Sequence, residues 1–364
     1  MSAPPAFCAG NGHSIAIRMS LRSPILVPTA LSHGERARRA VEAGLARWLA
    51  GGPIAFSGVD VRAGSGSPSI VPVADLKDDA LAAALDRIAA PRPALAGIPL
   101  DRPRVMGIVN ATPDSFSDGG DHAETKSAIA HGEALIGDGA DILDIGGEST
   151  RPGATPVTVS EEIDRVVPVI EGLKSAGVPI SIDTRNAATM RAAITAGAAI
   201  VNDVSALAHD PKSAAACAKL GVPVVLMHMR GEPATMTEHA VYGDVASEVY
   251  GELADRLDDA VAAGVARERI LVDPGFGFAK TSAQNLKLLR DLACLHALGA
   301  PILVGASRKS FLGAVTRGTK PKERIGASLA AALAAFARGV QVVRVHDVAD
   351  TVQSLEVWRA IVEA

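Results

Sequence analysis

From residue 105 onward, short apolar runs rich in β-branched residues alternate with alanine-rich stretches of helical period. Eight such runs can be marked, at 105–109, 142–145, 180–182, 199–201, 222–227, 270–272, 302–304 and 340–345. The polar spacing around them predicts helices near 124–137, 160–175, 187–196, 210–219, 244–263, 282–297, 322–337 and 348–362. This alternation is the pattern of βα units on a parallel sheet. Eight strands, each followed by a helix within about 260 residues, match a (β/α)8 barrel in count and size. The expected fold class is therefore α/β, a TIM barrel spanning 101–364. A doubly wound open sheet is the alternative, and no Gly-x-Gly-x-x-Gly follows the first strand to support it.

Residues 1–100 follow another pattern. The stretches 34–50 and 74–90 have helical period, 54–61 reads as a strand, and Pro91, Pro93, Pro99 and Pro103 form a stiff junction. The expectation is a small N-terminal α/β appendage without a catalytic motif.

Composition narrows the function class. The 364 residues are 48% hydrophobic and 21% charged, which describes a globular protein, and the 3% aromatic content argues against a platform that stacks nucleic-acid bases. A net charge of −4 offers no basic field for a nucleic-acid backbone, so any phosphate site must be a local pocket. No run approaches the ~18 apolar residues of a membrane span. The apolar run at 24–27, behind Arg18 and Arg22, is too short for a signal peptide. Cys8, Cys217 and Cys294 are odd in number and lack metal-ligand spacing, which fits a reducing, cytoplasmic compartment, with Cys217 and Cys294 as core fillers.

The chemistry sits where the apolar runs stop, because barrel enzymes place their active sites at the C-terminal ends of the strands. The first run ends at Asn110 and breaks into Ala111-Thr-Pro-Asp-Ser-Phe-Ser-Asp-Gly-Gly120, turn chemistry with anion-friendly backbone. The second is followed by Gly146-Gly-Glu-Ser-Thr-Arg-Pro-Gly153, where Arg151 offers a donor fork to a carboxylate or phosphate. The third ends in Asp183, which either accepts paired hydrogen bonds from an amino-heterocycle or caps the following helix. Asn202-Asp203 closes the fourth, and Asp273-Pro-Gly-Phe-Gly-Phe278 the sixth, so that amide and carboxylate groups ring a planar polar ligand beside Phe278. After the fifth, Met229 provides a pliable apolar wall, whereas His228 reads as structural. Gly305-Ala-Ser-Arg-Lys309 and Arg344-Val-His346 follow the seventh and eighth strands, where barrels often hold phosphate. Ser307, Arg308, Arg344 and His346 make that anion site, and Lys309 reaches a ring nitrogen or carbonyl. Asn110 is a neutral oxygen ligand suited to Mg2+, an ion held by few protein groups together with substrate phosphates and water.

Taken in order, Asn110–Gly120, Gly147–Gly153, Ser181–Thr184, Asn202–Val204, Asp273–Phe278, Ser307–Lys309 and Arg344–His346 resemble the dihydropteroate synthase family over about residues 104–364. The resemblance implies condensation of hydroxymethyl-dihydropterin pyrophosphate with p-aminobenzoate, giving dihydropteroate and pyrophosphate in folate synthesis. It implies that Asp183, Asn202, Met229, Asp273, Phe278, Gly305 and Lys309 surround the pterin. Thr112, Pro113, Thr150, Arg151, Pro152 and Ser307 would lie around p-aminobenzoate and its loops, and Asn110, Arg151, Arg344 and His346 would hold pyrophosphate, with Mg2+ at Asn110. Lys309, Asp183 and Asn110 would be the catalytic set, and a homodimer is expected. Two positions depart from the family pattern: Ala279 stands where glycine is usual and Arg230 where glutamine is frequent. The competing readings are a pterin-dependent methyltransferase on the same barrel, which needs no anion set, and a catalytically silent pterin-binding scaffold.

Overall fold

The computed structural model describes residues 24–62, 69–76, 79–111, 121–148, 157–232 and 235–363. The N-terminal part comprises β1 (Ile25–Ser32), α1 (Gly34–Glu42), β2 (Arg47–Trp48), β3 (Ala55–Arg62), β4 (Ser69–Pro72) and α2 (Asp79–Ala89). Its sheet is antiparallel, with β3 paired to β1 along one edge and to β2 and β4 along the other. The helix expected over 34–50 stops at Glu42, because Gly44 turns into the left-handed region at φ +69 and the chain returns as β2. The helix expected over 74–90 begins only at Asp79, after a 3-10 turn at Val73–Asp75. Strands β1 and β4 were not anticipated, since each is defined by a distant partner, Leu26 opposite Val61 and Val71 opposite Val59.

The remainder is a barrel. Its strands are β5 (Arg104–Asn110), β6 (Ile142–Gly146), β7 (Ile180–Asp183), β8 (Ile200–Asp203), β9 (Val224–Met227), β10 (Ile270–Asp273), β11 (Leu303–Val304) and β12 (Val342–Val345). They form one parallel sheet ordered β10-β9-β8-β7-β6-β5-β12-β11, and a parallel bridge between Val272 and Ile302 joins its two ends. Helices α3 (Asp121–Gly137), α4 (Val159–Leu173), α5 (Ala187–Ala196), α6 (Ser213–Leu220), α7 (Val245–Ala262), α8 (Ser282–Arg290), α9 (Ser310–Val315), α10 (Ile325–Phe336) and α11 (Val348–Glu363) complete the fold. The stretch expected as one helix over 282–297 divides into α8 and a buried 3-10 segment, Leu292–Leu298. That tighter segment leaves the carbonyls of His296 and Gly299 available to the buried Arg92 guanidinium, at 3.2 Å each.

Alternate residues of each strand point into the barrel. The lower inward layer is apolar: Met106, Ile142, Ile200, Val225, Leu271, Leu303 and Val342 form one cluster, closed from below by Leu95 and Leu100. Two residues further along, the same faces carry Asp144, Asn202, Asp273 and Arg344, so the barrel is dry at its floor and charged at its mouth. The N-terminal sheet packs elsewhere, burying Leu26, Phe56, Val59 and Ile88 with Ala297 and against Tyr250 and Trp358.

Because Leu95 and Leu100 belong to the barrel floor, a truncation beginning at Asp101 should be less stable than one beginning at Pro93. The difference expected from burying two leucines is about 3–6 kcal/mol. Urea melts of the two truncations, with turnover of the soluble fraction, check this; the longer truncation should retain the chemistry, since every candidate catalytic residue lies at or beyond Asn110.

Candidate active site

The mouth of the barrel is organised around Arg344. It projects from β12 two residues above Val342, with its Nε on Asp144 Oδ2 and its Nη2 2.7 Å from Asp183 Oδ2. Asn202 Nδ2 donates to the same Asp144 oxygen at 3.1 Å, so β6, β7, β8 and β12 are joined through one buried polar knot. Asp144 is fully buried, and the second oxygen of its carboxylate has no hydrogen-bond partner. Burial pushes the Asp183 carboxyl up to about 7 despite the opposing pull of Arg344. Asp183 therefore does not cap α5; that N-cap position belongs to Asn186, and the Ala187 amide donates to Asp210. Asp203 turns away from the mouth and binds the Ser205 and Leu207 amides, so it does not join the ring of ligand-facing groups expected for the Asn202-Asp203 pair.

Across the mouth, Asp273 ends β10 and accepts from the Gly275 amide at 2.7 Å; burial raises its carboxyl to about 6. The turn that follows passes through left-handed conformations at Gly275, Gly277 and Ala279. A Cβ on Gly275 would lie 2.0 Å from the His228 carbonyl oxygen, so only glycine lets β9 and this turn approach so closely. The turn places the Phe278 ring under Lys309, whose Nζ stands 4.3 Å from the ring centroid. Met229 lies half-buried against the cluster of Val204, Met227, Met236 and Phe278.

Ser307 Oγ lies 3.1 Å from His346 Nδ1 and accepts the His346 amide at 3.2 Å, which links the ends of β11 and β12. Arg308 is not part of this group. It lies in the left-handed region and its guanidinium is held by Asp347, with Nε at 3.1 Å. Gly305 borders the mouth, where a Cβ would meet Asp273 Oδ2 at an ordinary 3.9 Å. Asn110 is exposed at the end of β5, opposite Gly146. Thr112, Pro113, Thr150, Arg151 and Pro152 lie outside the described residues.

The chain matches the family model described as "Pterin binding enzyme" over residues 106–346, a span that includes every strand-end group above. Dihydropteroate synthase of Neisseria meningitidis serogroup B (strain ATCC BAA-335 / MC58) is 48% identical over 269 residues, 72% of this chain and 94% of that protein. The chain belongs to the dihydropteroate synthase family. Among solved structures, Xanthomonas albilineans dihydropteroate synthase with 4-aminobenzoic acid matches with a TM-score of 0.70 and 52% identity, covering 74% of this chain and 98% of that one. The same enzyme in complex with 7,8-dihydropteroate matches at TM-score 0.68 and 49% identity, over 74% of this chain and 98% of that one. The family carries a transferase reaction of folate biosynthesis.

Asp144 and Lys280 are among the buried ionisable groups of this dihydropteroate synthase that sequence reasoning missed. Asp144 was legible by parity: it shares the inward face of Ile142, and a carboxylate inside an apolar strand demands a partner. Lys280, 9% exposed, follows a turn motif and carried no comparable signal. His228 is structural as expected, buried between Glu252 and Lys280 and held neutral, its pKa lowered to about 4 mainly by burial. Arg230, in place of the frequent glutamine, binds Glu252 Oε1 at 3.0 Å and covers the Tyr242 ring at 3.9 Å.

Ala279, in place of the usual glycine, adopts φ +47, a conformation that disfavours a side chain. Ala279→Gly should therefore stabilise the fold by about 0.5–1 kcal/mol once glycine's greater unfolded-state entropy is subtracted. A denaturant midpoint shifted upward with an unchanged slope is the expected reading.

Proposed function

We propose that this dihydropteroate synthase works by a dissociative route, with the pterin held across the barrel mouth and the pyrophosphate at its rim. Asp183, Asn202, Asp273 and Lys309 are assigned to the pterin, with Met229, Phe278 and Gly305 forming its walls. The observation that carries this reading is the placing of Asp183, Asn202 and Asp273 at the ends of β7, β8 and β10 of one barrel, with Asn202 and Asp273 buried. Carboxylates and an amide present the acceptors and donors that an amino-oxo heterocycle needs, and exclusion of water strengthens each of them.

The carbon–oxygen bond to pyrophosphate breaks with its electron pair leaving on the oxygen, and the electron-rich pterin carries the resulting cation. The p-aminobenzoate nitrogen then forms the new carbon–nitrogen bond and loses a proton. Arg344 and the Ser307–His346 pair, joined to the strand ends of β12 and β11, would balance the charge of departing pyrophosphate. The loops around 111–122 and 147–158, with Thr112, Pro113, Thr150, Arg151 and Pro152, are assigned to p-aminobenzoate and to keeping water from the cation. No covalent bond to the protein is required.

Among the described residues no group of three or more His, Cys, Asp or Glu side chains is suited to holding a metal ion. Asn110, exposed at the end of β5, is a neutral oxygen that would hold Mg2+ together with substrate phosphates and water. When bound, Mg2+ would supply charge neutralisation at the leaving group. A cytoplasmic homodimer completes the proposal. Buried free thiols at Cys217 and Cys294 fit a reducing compartment, and Val357 and Ile361 stand exposed one turn apart on α11 as an apolar stripe for a second copy.

Steady-state pyrophosphate release over many turnovers should require both substrates and Mg2+, and p-aminobenzoate-independent release of a methyl group would overturn the assignment. Asp183→Asn should weaken pterin binding by about 2–4 kcal/mol, because an acceptor is replaced by a group that must present a donor. Calorimetry with 7,8-dihydropteroate checks it; unchanged affinity removes Asp183 from the pocket.

A further inference from the structure

The Lys280 ammonium touches both strand ends forming the Met229–Phe278 side of the pocket. Its Nζ is 3.0 Å from the Gly275 carbonyl oxygen, 3.0 Å from that of Phe278 and 2.9 Å from His228 Nδ1. An ammonium has three protons and here it has three acceptors. The first two lie in the turn between Asp273 and Phe278, and the third directly follows β9, immediately before Met229. His228 passes the connection outward, its Nε2 standing 3.0 Å from Glu252 Oε2, and Glu252 in turn holds Arg230. Lys280 neither lies over the Phe278 ring, where Lys309 sits, nor belongs to the Asp144–Arg344–Asp183 knot.

We propose that Lys280 is a positioning residue for pterin binding, a buried three-donor clamp that holds Phe278, Asp273 and Met229 in register with one another. The proposal rests on the reading that these residues line the pterin pocket. In the charged form all three bonds are made. A neutral amine has two protons and a lone pair; it keeps its contact with both turn carbonyls and with His228 only if His228 donates from Nδ1 and gives up its bond to Glu252, so the network loses one bond either way. The groups facing the ammonium are Asp273 from β10, Glu252 from α7, Arg230 and His228 beyond β9, and Lys309 ahead of α9, with Tyr242 under Arg230 and tilted against His228. Burial is the largest influence and lowers the Lys280 pKa to about 7, with Asp273 and Glu252 opposing it and Arg230 and Lys309 reinforcing it. The clamp is therefore complete below that pH and loosens above it. Asp183 and Asp273 act in the opposite sense, since their raised pKa values ionise the acceptors as pH rises. Pterin affinity is expected to pass through a maximum near neutrality, with an acid limb from the carboxyls and an alkaline limb from Lys280.

The test is calorimetric affinity of the full chain for 7,8-dihydropteroate between about pH 5 and 9, for the wild type, Lys280→Met and Lys280→Gln. The methionine variant keeps the stem and removes every donor; the glutamine variant retains two donors and cannot titrate in this range, which guards against loss of folding in the first. Lys280→Met should weaken binding about tenfold or more at the optimum, Lys280→Gln less, and both should lose the alkaline limb while keeping the acid limb. Wild-type affinity with the alkaline limb intact in a folded variant overturns the proposal. Weaker binding with that limb intact also overturns it, because the effect would then be packing alone. Absence of binding by the wild type would instead remove the pocket reading beneath it.

Discussion

A barrel mouth that gathers buried carboxylates needs a cation inside the same dry space, and Arg344 supplies it. Charge taken out of water costs several kcal/mol per group unless it is paired and hydrogen-bonded. Arg344 meets Asp144 and Asp183 together, while Asn202 completes the Asp144 oxygen. The pairing ties β12, β6, β7 and β8 across the barrel, so the orientation of Asp183 is set by the frame rather than by its own short strand. The site also depends on what lies beneath. The apolar floor from Met106 to Val342, plugged by Leu95 and Leu100, keeps the polar layer dry and so keeps its electrostatics strong.

This layering explains why so much of the molecule was legible in the chain. Each barrel strand is short, apolar and punctuated by a functional residue, and the period of two makes Ile142, Asp144 and Gly146, or Val342, Arg344 and His346, neighbours on one inward face. The family motifs fall at these strand ends, which is why residues such as Asp183, Asn202, Asp273 and Lys309 could be named from the sequence. Local pattern fails where a contact is distant or where bonds within a turn decide the shape. β1 was passed over as an isolated apolar run because its partner is β3. Arg308 looked like a phosphate ligand until its left-handed backbone and Asp347 were seen to direct it elsewhere. Lys280 carried no motif at all, since its role comes from three acceptors that folding brings around it.

The side and the mouth of the barrel have different tasks. The N-terminal sheet and α2 dock on the side of α7, α11 and the 3-10 segment after α8, with Arg92 buried between them and bonded to main-chain carbonyls on both sides. These contacts concern packing and hydrogen-bond satisfaction. The mouth is built from strand ends and glycine-rich turns, with left-handed backbone at Ala279 and an Asp144 oxygen that has no hydrogen-bond partner.

The central claim, that Arg344 and Asp144 act as one frame that orients Asp183, is tested most directly by a double-mutant cycle. Arg344→Met and Asp144→Asn would be made singly and together, and affinity for 7,8-dihydropteroate measured. This ligand has no pyrophosphate, so the readout isolates the frame from any contact of Arg344 with the leaving group. The account predicts a coupling of about 1.5 kcal/mol or more, with the double variant little worse than the weaker single one. Effects that add within about 0.5 kcal/mol would mean that the two residues act independently, and would contradict it.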